Sequence, residues 1–249
     1  MAAPVTAVIP ARLGSKRFPG KVLYPYRGKP LLYYVWNDVR RSKRIERLII
    51  ATDSAEVSRA AEGFGAEVFR STKPHGTGSD RVAEVASRVG GEIFLNIQAD
   101  NFGLTGRLLD RVIAVFLRER GVEYGTLATR INADSELFNP NAVKVVVSRS
   151  GTALWFSRYP IPFLQHAGAR HRTTQFTFRR HIGVYLFRRS GLQAFRRWRP
   201  SPLEKAESLE QLRILEHGAR MRVFDVPLKT VSVDSPADIE KLDRIYRQG

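Results

Sequence analysis

Apolar residues in the first half of the chain follow two alternating rhythms. Short continuous runs, "VTAVIPA" (Val5 to Ala11), "RLIIATD" (Arg47 to Asp53), "AEVFR" (Ala66 to Arg70) and "EIFLNIQAD" (Glu92 to Asp100), read as buried strands. Between them the apolar positions fall three and four apart: Leu31, Val35 and Val39 in "LLYYVWNDVRR"; Val57, Ala60, Ala61 and Phe64 in "SAEVSRAAEGFG"; Val82, Val85, Ala86 and Val89 in "SDRVAEVASRVG". Each of these spacings predicts a helix with one buried face, the second capped at Ser54. Strands alternating with helices predict a largely parallel sheet flanked by helices. Gln98 and Asp100 then fall at the carboxyl end of a strand, where open α/β sheets place their ligands.

Beyond the helix "LLDRVIAVFLRER" the rhythm changes. "YGTLATRI", "AVKVVVS", "TALWFSR" and "HIGVYLF" read as strands, and "RSG" suits a hairpin turn between the second and third. One helix is predicted over "EKAESLEQLRILEHG" (Glu204 to Gly218), with Leu209, Leu212 and Leu215 on its apolar side and Gly218 ending it. Two short strands, "MRVFDVP" and "TVSVD", and a closing helix capped at Ser235, "SPADIEKLDRIYRQ", complete the reading. The second half is therefore mixed. At 249 residues the chain suits a single α/β domain, 1–249, that buries a full core.

Composition narrows the chemistry. Zero cysteines exclude disulfides, thiolate catalysis and Cys-ligated zinc. No apolar run approaches the roughly 20 residues of a membrane helix, and "MAAPVTAVIPAR" lacks the charged region and cleavage site of a leader, so the expected compartment is the cytoplasm, with no membrane partner. The formal charge of +17 predicts a surface that draws anions. Its basic clusters, "RRSKRIER", "FRRHIGVYLFRRS" and "FRRWRP", are spread along the chain and read mostly as solvated surface.

The loop after the first strand, "ARLGSKRFPGK", concentrates cations on a glycine-bearing turn. It lacks both the Gly-Lys-Ser/Thr of a Walker A loop and the three-glycine spacing of a dinucleotide-binding turn. What remains is a turn whose backbone N–H groups can line an anion with cations around it, consistent with a triphosphate site at Ala11, Arg12, Gly14, Ser15, Arg17 and Lys21. Arg12 and Lys21 are the leading phosphate ligands. A solvated basic loop is the alternative.

In order and spacing, "IPARLGSKRFPGKVL", "TGSDR", "NIQAD", "FNPNAVKVV", "FSRYPIPF", "HIGVYLF", "SPLEKAESLEQLRILEHG" and "VDSPADIEKL" resemble the 3-deoxy-manno-octulosonate (Kdo) cytidylyltransferases, or CMP-Kdo synthetases, over nearly the whole chain. The opening loop alone indicates the wider nucleotidyltransferase superfamily; "FNPNAVKVV" with "SPLEKAESLEQLR" points to this branch. The resemblance implies a nucleotide-diphospho-sugar transferase-like (Rossmann-like) fold, with a smaller sugar-binding and dimerisation part within about residues 140–190. It implies transfer of CMP from CTP to the anomeric hydroxyl of Kdo, or a closely related acidic 3-deoxy sugar, for lipopolysaccharide assembly, with pyrophosphate released. It further implies Mg²⁺ held by Asp100 and Asp234, and a homodimer. Backbone amides near Gly78 and Ser79 would read the cytosine edge, Arg81 would approach the base or the phosphates, and Gln98 the ribose or sugar hydroxyls. Arg158, His181, Tyr185, Glu210 and Gln211 would hold the sugar, His181 through hydrogen bonds and not as a general base. His75, His166, His171 and His217 show no metal-ligand spacing and read as surface residues.

The resemblance departs at the central motif. Its familiar form is Gln-Gly-Asp-Glu-Pro, whereas this chain has "QADNF", Gln98 to Phe102. Asp100 is retained. Asn101 removes a negative charge beside the expected metal, Ala99 adds a methyl and Phe102 removes a rigid turn, so a changed sugar choice, metal affinity or rate is expected. Two other readings compete: a nucleotidyltransferase of the same fold with another sugar or nucleotide, and a basic nucleic-acid-binding protein. Against the last, the basic clusters carry no stacking pattern of interleaved aromatics, and no nucleic-acid partner is expected.

Overall fold

The computed structural model describes residues 3–14, 18–166, 172–227, 231–233 and 235–246. Ser15, Arg17 and Asp234, named above as site residues, and His171 lie outside the described residues.

In chain order the strands are β1 (Val5–Pro10), β2 (Pro25–Tyr26), β3 (Lys29–Pro30), β4 (Arg47–Thr52), β5 (Glu67–Arg70), β6 (Ile93–Ile97), β7 (Asn101–Phe102), β8 (Tyr124–Arg130), β9 (Lys144–Val147), β10 (Ala153–Ser157), β11 (Arg179–Arg188), β12 (Met221–Asp225) and β13 (Val231–Ser232). The helices are α1 (Leu31–Val39), α2 (Ala55–Gly63), α3 (Gly78–Ala86), α4 (Gly106–Arg118), α5 (Asp134–Leu137), α6 (Arg172–Gln175), α7 (Arg189–Arg197), α8 (Pro202–Glu207), α9 (Leu212–Glu216) and α10 (Asp243–Tyr246). The main sheet runs β10-β9-β11-β6-β1-β4-β5, and β8 pairs with both β11 and β12. β4 and β6 flank β1 in parallel, β5 extends β4 in parallel and β12 is parallel to β8. β11 runs antiparallel to both β6 and β8. The sheet is thus mixed and largely parallel.

Period-two alternation sorts the core into two layers. Ala7, Ile9, Ile50 and Leu95 face the side covered by α1, α2 and α4; Val8, Ile49, Ala51 and Phe94 face the side covered by α3, α7 and α9. Both layers are dry, so strands buried on two faces read as the continuous apolar runs seen in the sequence.

Three expectations change. The helix expected over Glu204 to Gly218 is two short helices, α8 and α9, because Ser208 adopts a left-handed conformation (φ 53). The closing helix starts as a 3-10 turn, Pro236–Leu242, before α10. Several of the arginines expected on solvated surface instead bind helix ends: Arg189 donates to the carbonyls of Ala86, Val89 and Gly91 behind α3, and Arg188 to those of Phe116, Glu119 and Val122 behind α4. Cations at helix C-termini satisfy orphan carbonyls and oppose the dipole. Part of the positive charge is therefore structural.

Candidate active site

A cleft of about 1040 Å³ opens where β1 and β6 end, between the N-terminus of α3, the middle of β11 and the turn joining α8 to α9. It has two chemically distinct ends.

At the first end, β1 delivers Arg12 and Lys21. Arg12 is exposed and lines the cleft. Lys21 begins a 3-10 turn entered through Gly20, whose φ of 69 suits glycine. Its Nζ donates to Asp100 Oδ2 at 2.7 Å and to the Val233 carbonyl at 2.9 Å. The antiparallel pairing of β7 with β13 holds residues 231–232 beside Asn101 and Phe102. One lysine therefore joins the loop after β1, the turn after β6 and the segment that leads into Asp234. Gly14 is exposed. Ala11 is buried; its N–H donates to the Ala51 carbonyl, and its own carbonyl accepts from Arg81 Nη1 at 3.0 Å. Arg81 is buried, pairs with Asp53 at 2.9 Å and does not line the cleft. It braces the ends of β1 and β4 from below. Gly78 lines the cleft, but the Ser79 N–H already donates to Glu210 Oε2 at 2.9 Å, and the Ser79 hydroxyl accepts from Asn96.

At the second end neutral hydrogen-bonding groups sit among charged side chains, Arg158, Arg180, Glu204, Lys205 and Glu210. β11 departs from its ladder with β8 between Ile182 and Tyr185, where Gly183 and Val184 have no counterpart. Gln98 donates its N–H to the Gly183 carbonyl at 3.2 Å, and its side chain fills the space where a Cβ on residue 183 would stand. A larger residue there would have to displace the Gln98 side chain from this position. Asn101 Nδ2 donates to the same carbonyl at 2.8 Å. The departure from the familiar motif is thus built into the fold: Asn101 is an amide donor clamped on β11, and Phe102 is wholly buried in the core. His181 Nε2 lies 2.7 Å from Thr126 Oγ1, and burial pushes its pKa down to about 3, so the ring is neutral. Tyr185 donates to Gln211 Oε1 at 3.0 Å, and burial raises its pKa well above the ordinary phenol value. Gln211 is 1% exposed, and its Nε2 has no partner among the described residues. That orphaned donor, in a side chain lining the cleft, calls for a ligand oxygen. Burial raises the Glu210 pKa, and hydrogen bonds from Ser79 oppose the rise. The Arg158 guanidinium is spent on the carbonyls of Glu207 (2.7 Å), Pro140 (3.0 Å) and Ser208 (3.4 Å).

A buried ion-pair bridge ties the two ends together. Arg213, 1% exposed, grips Glu204 through two contacts of 2.7 and 2.6 Å and reaches Asp80 at 3.0 Å. Asp80 closes a capping box with Thr77 at the start of α3, and Glu204 closes another with Ser201 at the start of α8. The sequence reading passed over Arg213, Asp80, Glu204 and Lys144. A signal existed for two of them, because "TGSD" and "SPLE" both match the S/T-x-x-D/E pattern of a capping box. Lys144 is wholly buried, donates to the Asn139 and Arg158 carbonyls, and has its pKa lowered to about 8 by burial. Of the histidines, His75 is half-buried and 2.7 Å from Glu84, so it is not a free surface residue. No group of three or more His, Cys, Asp or Glu among the described residues could hold a metal ion.

The profile of the family described as Cytidylyltransferase matches residues 6–223. A 3-deoxy-manno-octulosonate cytidylyltransferase of Pseudomonas syringae pv. tomato is 42% identical over 252 residues, covering 98% of this chain and 99% of that one. The enzyme of the same name from Geobacter sulfurreducens is 40% identical over 243 residues, covering 96% and 97%. Among solved structures, CMP:2-keto-3-deoxy-manno-octonic acid synthetase complexed with CTP superposes with a TM-score of 0.89 at 34% identity, covering 99% of each chain.

Proposed function

The chain belongs to the cytidylyltransferase family, and from that premise we propose that it is a Kdo cytidylyltransferase: CTP and Kdo give CMP-Kdo and pyrophosphate. The observation that carries this reading to the substrates is a cleft with Arg12 and Asp100 at one end and, at the other, the hydrogen-bonding side chains of Gln98, His181 and the orphaned amide of Gln211. The anomeric oxygen of the sugar attacks the α-phosphorus in line, its proton is released, and the bond from the α-phosphorus to the bridging oxygen breaks as pyrophosphate leaves. Such transfers rest on positioning and charge stabilisation, with little covalent work for side chains. Arg12 meets phosphate oxygens at the open end. Lys21 neutralises charge there and holds Asp100 in place. Gln98 and the orphaned amide of Gln211 orient sugar hydroxyls; Tyr185 fixes the Gln211 rotamer and Arg158 fixes the turn that carries it.

Mg²⁺ fits the donor chemistry of the open end. Asp100 offers a hard carboxylate oxygen with access to the cleft, and Lys21 draws the segment preceding Asp234 to the same point. When bound, the ion would neutralise charge on the triphosphate, with Asp100 and Asp234 as its carboxylates. A homodimer is part of the proposal, through the region within about residues 140–190. Its support is a run of exposed large apolar side chains in or beside that region, Phe138, Leu154, Tyr159, Phe163 and Phe176. No helix among the described residues is long and apolar enough to cross a membrane. The proposed compartment is the cytoplasm, where CTP is made.

Pyrophosphate release, measured with Mg²⁺ for each of the four ribonucleoside triphosphates against a panel of 2-keto-3-deoxy acids, tests the reading. CTP with Kdo should be the most efficient pair. Release with another nucleotide only, or with no sugar in the panel, overturns it.

A further inference from the structure

Thr126 belongs to none of the motifs that carry the family resemblance, and it is wholly buried on β8. Its side chain sits beneath the irregular stretch of β11. Ile182 pairs with Leu127, the next pair is Tyr185 with Thr126, and Gly183 and Val184 are left over. Extra residues of this kind break the ladder and re-aim the neighbouring side chains, which here line the cleft. Thr126 Oγ1 fills the gap, 2.8 Å from the Val184 carbonyl oxygen and 2.7 Å from His181 Nε2.

Proton counting fixes the direction of both contacts. A threonine hydroxyl has one proton to give and lone pairs with which to accept. The Val184 carbonyl can only accept, so the hydroxyl proton goes to it. The short contact to His181 then requires a proton on Nε2, with Thr126 accepting. Burial keeps the ring from taking a second proton. Nδ1 is therefore bare, and it has no hydrogen-bond partner among the described residues.

We infer that Thr126 is a positioning residue for the sugar end of the cleft: it locks His181 as the Nε2–H tautomer, leaving Nδ1 as a neutral acceptor for a sugar hydroxyl. A bare imidazole nitrogen accepts from a hydroxyl and gains nothing from a carboxylate, which has no proton to offer. His181 thus discriminates on the hydroxyl pattern of the acidic sugar, and the acid group is met elsewhere. The identity of the sugar rests on the function proposed above; the tautomer does not.

Nitrogen-15 spectra of the full chain labelled at histidine report the tautomer directly, because protonated and bare ring nitrogens resonate far apart. Wild type and Thr126→Ser should show His181 with Nε2 protonated and Nδ1 bare at neutral pH, and Thr126→Val should lose that pure pattern. In steady state, Thr126→Val should raise KM for Kdo at least about fivefold, the usual weight of one hydrogen bond, with KM for CTP unchanged and Thr126→Ser restoring the sugar constant. A protonated Nδ1 or an imidazolium in the wild type overturns the inference, whatever sugar is used. So does Thr126→Val with the wild-type tautomer and the wild-type sugar KM. If no sugar turns over at all, the proposed function fails, while the wild-type spectrum still decides the tautomer.

Discussion

Where β1 and β6 end, the cleft offers the exposed Arg12 and the carboxylate of Asp100, which the buried Lys21 holds from behind. Where β11 bends, it offers neutral groups set deep and held by other protein atoms, with His181 on Thr126 and Gln211 on Tyr185. The two ends face different recognition problems. A triphosphate carries several charges, and cations near solvent attract it without demanding one geometry. A sugar differs from its analogues by single hydroxyls, and only buried groups of fixed orientation discriminate on that scale, because a wrong hydroxyl leaves one of them unpaired. Glu210 on the Ser79 N–H and Arg213 on Asp80 then fasten the sugar end to α3, so the two ends keep a fixed distance while each follows its own chemistry.

The largest expected effect comes from cutting that fastening. Arg213→Leu leaves Glu204 and Asp80 as uncompensated charges beneath the cleft and should cost about 3–5 kcal/mol of stability, read by urea unfolding. A loss below about 1 kcal/mol would mean that the bridge is incidental.

Next is the ionised end itself. Asp100→Asn should lower turnover with Mg²⁺ at least about a hundredfold, since a neutral amide is a poorer ligand for a hard cation and a poorer partner for Lys21. Near-normal turnover would remove Asp100 from the metal site.

A smaller effect should follow from Asn101→Glu, which restores the charge of the familiar motif. The carboxylate cannot donate to the Gly183 carbonyl that Asn101 Nδ2 now reaches at 2.8 Å, and it would face that oxygen instead. The expected cost is about 1–3 kcal/mol of stability, seen as a lowered Tm, with the nucleotide preference kept. An unchanged Tm would show that residue 101 points away from β11.

The two ends also differ in how far they could be read from the sequence. Strands buried on both faces announce themselves as apolar runs, and helices with one dry face by their spacing, so β1, β4, β6, α1, α2 and α3 were legible. So was the position of Asp100 after β6, because parallel strands present their carboxyl ends on one edge. The sugar end was legible only through family resemblance. The spacing of Leu209, Leu212 and Leu215 predicts one continuous helix, whereas the chain breaks at the left-handed Ser208, just before Glu210 and Gln211 meet Ser79 and Tyr185 in contacts that local spacing does not carry. Arg81 shows the same limit. Resemblance sends it toward the base or the phosphates, yet it is buried and donates to the carbonyls of Ala11 and Ala51. The bulge in β11 leaves no local trace except Gly183, whose missing side chain makes room for Gln98.

If nucleotide and sugar are recognised by separable devices, KM values for Arg12→Ala and Gln211→Ala should part company. The Arg12 variant should raise KM for CTP by roughly tenfold or more, as expected for a lost charge-assisted hydrogen bond, and leave KM for Kdo within about twofold. The Gln211 variant should do the reverse if its Nε2 donor, which has no partner among the described residues, serves the sugar as proposed. If both substitutions raise both constants by the same factor, the cleft acts as one undivided site and the two ends are not separate devices.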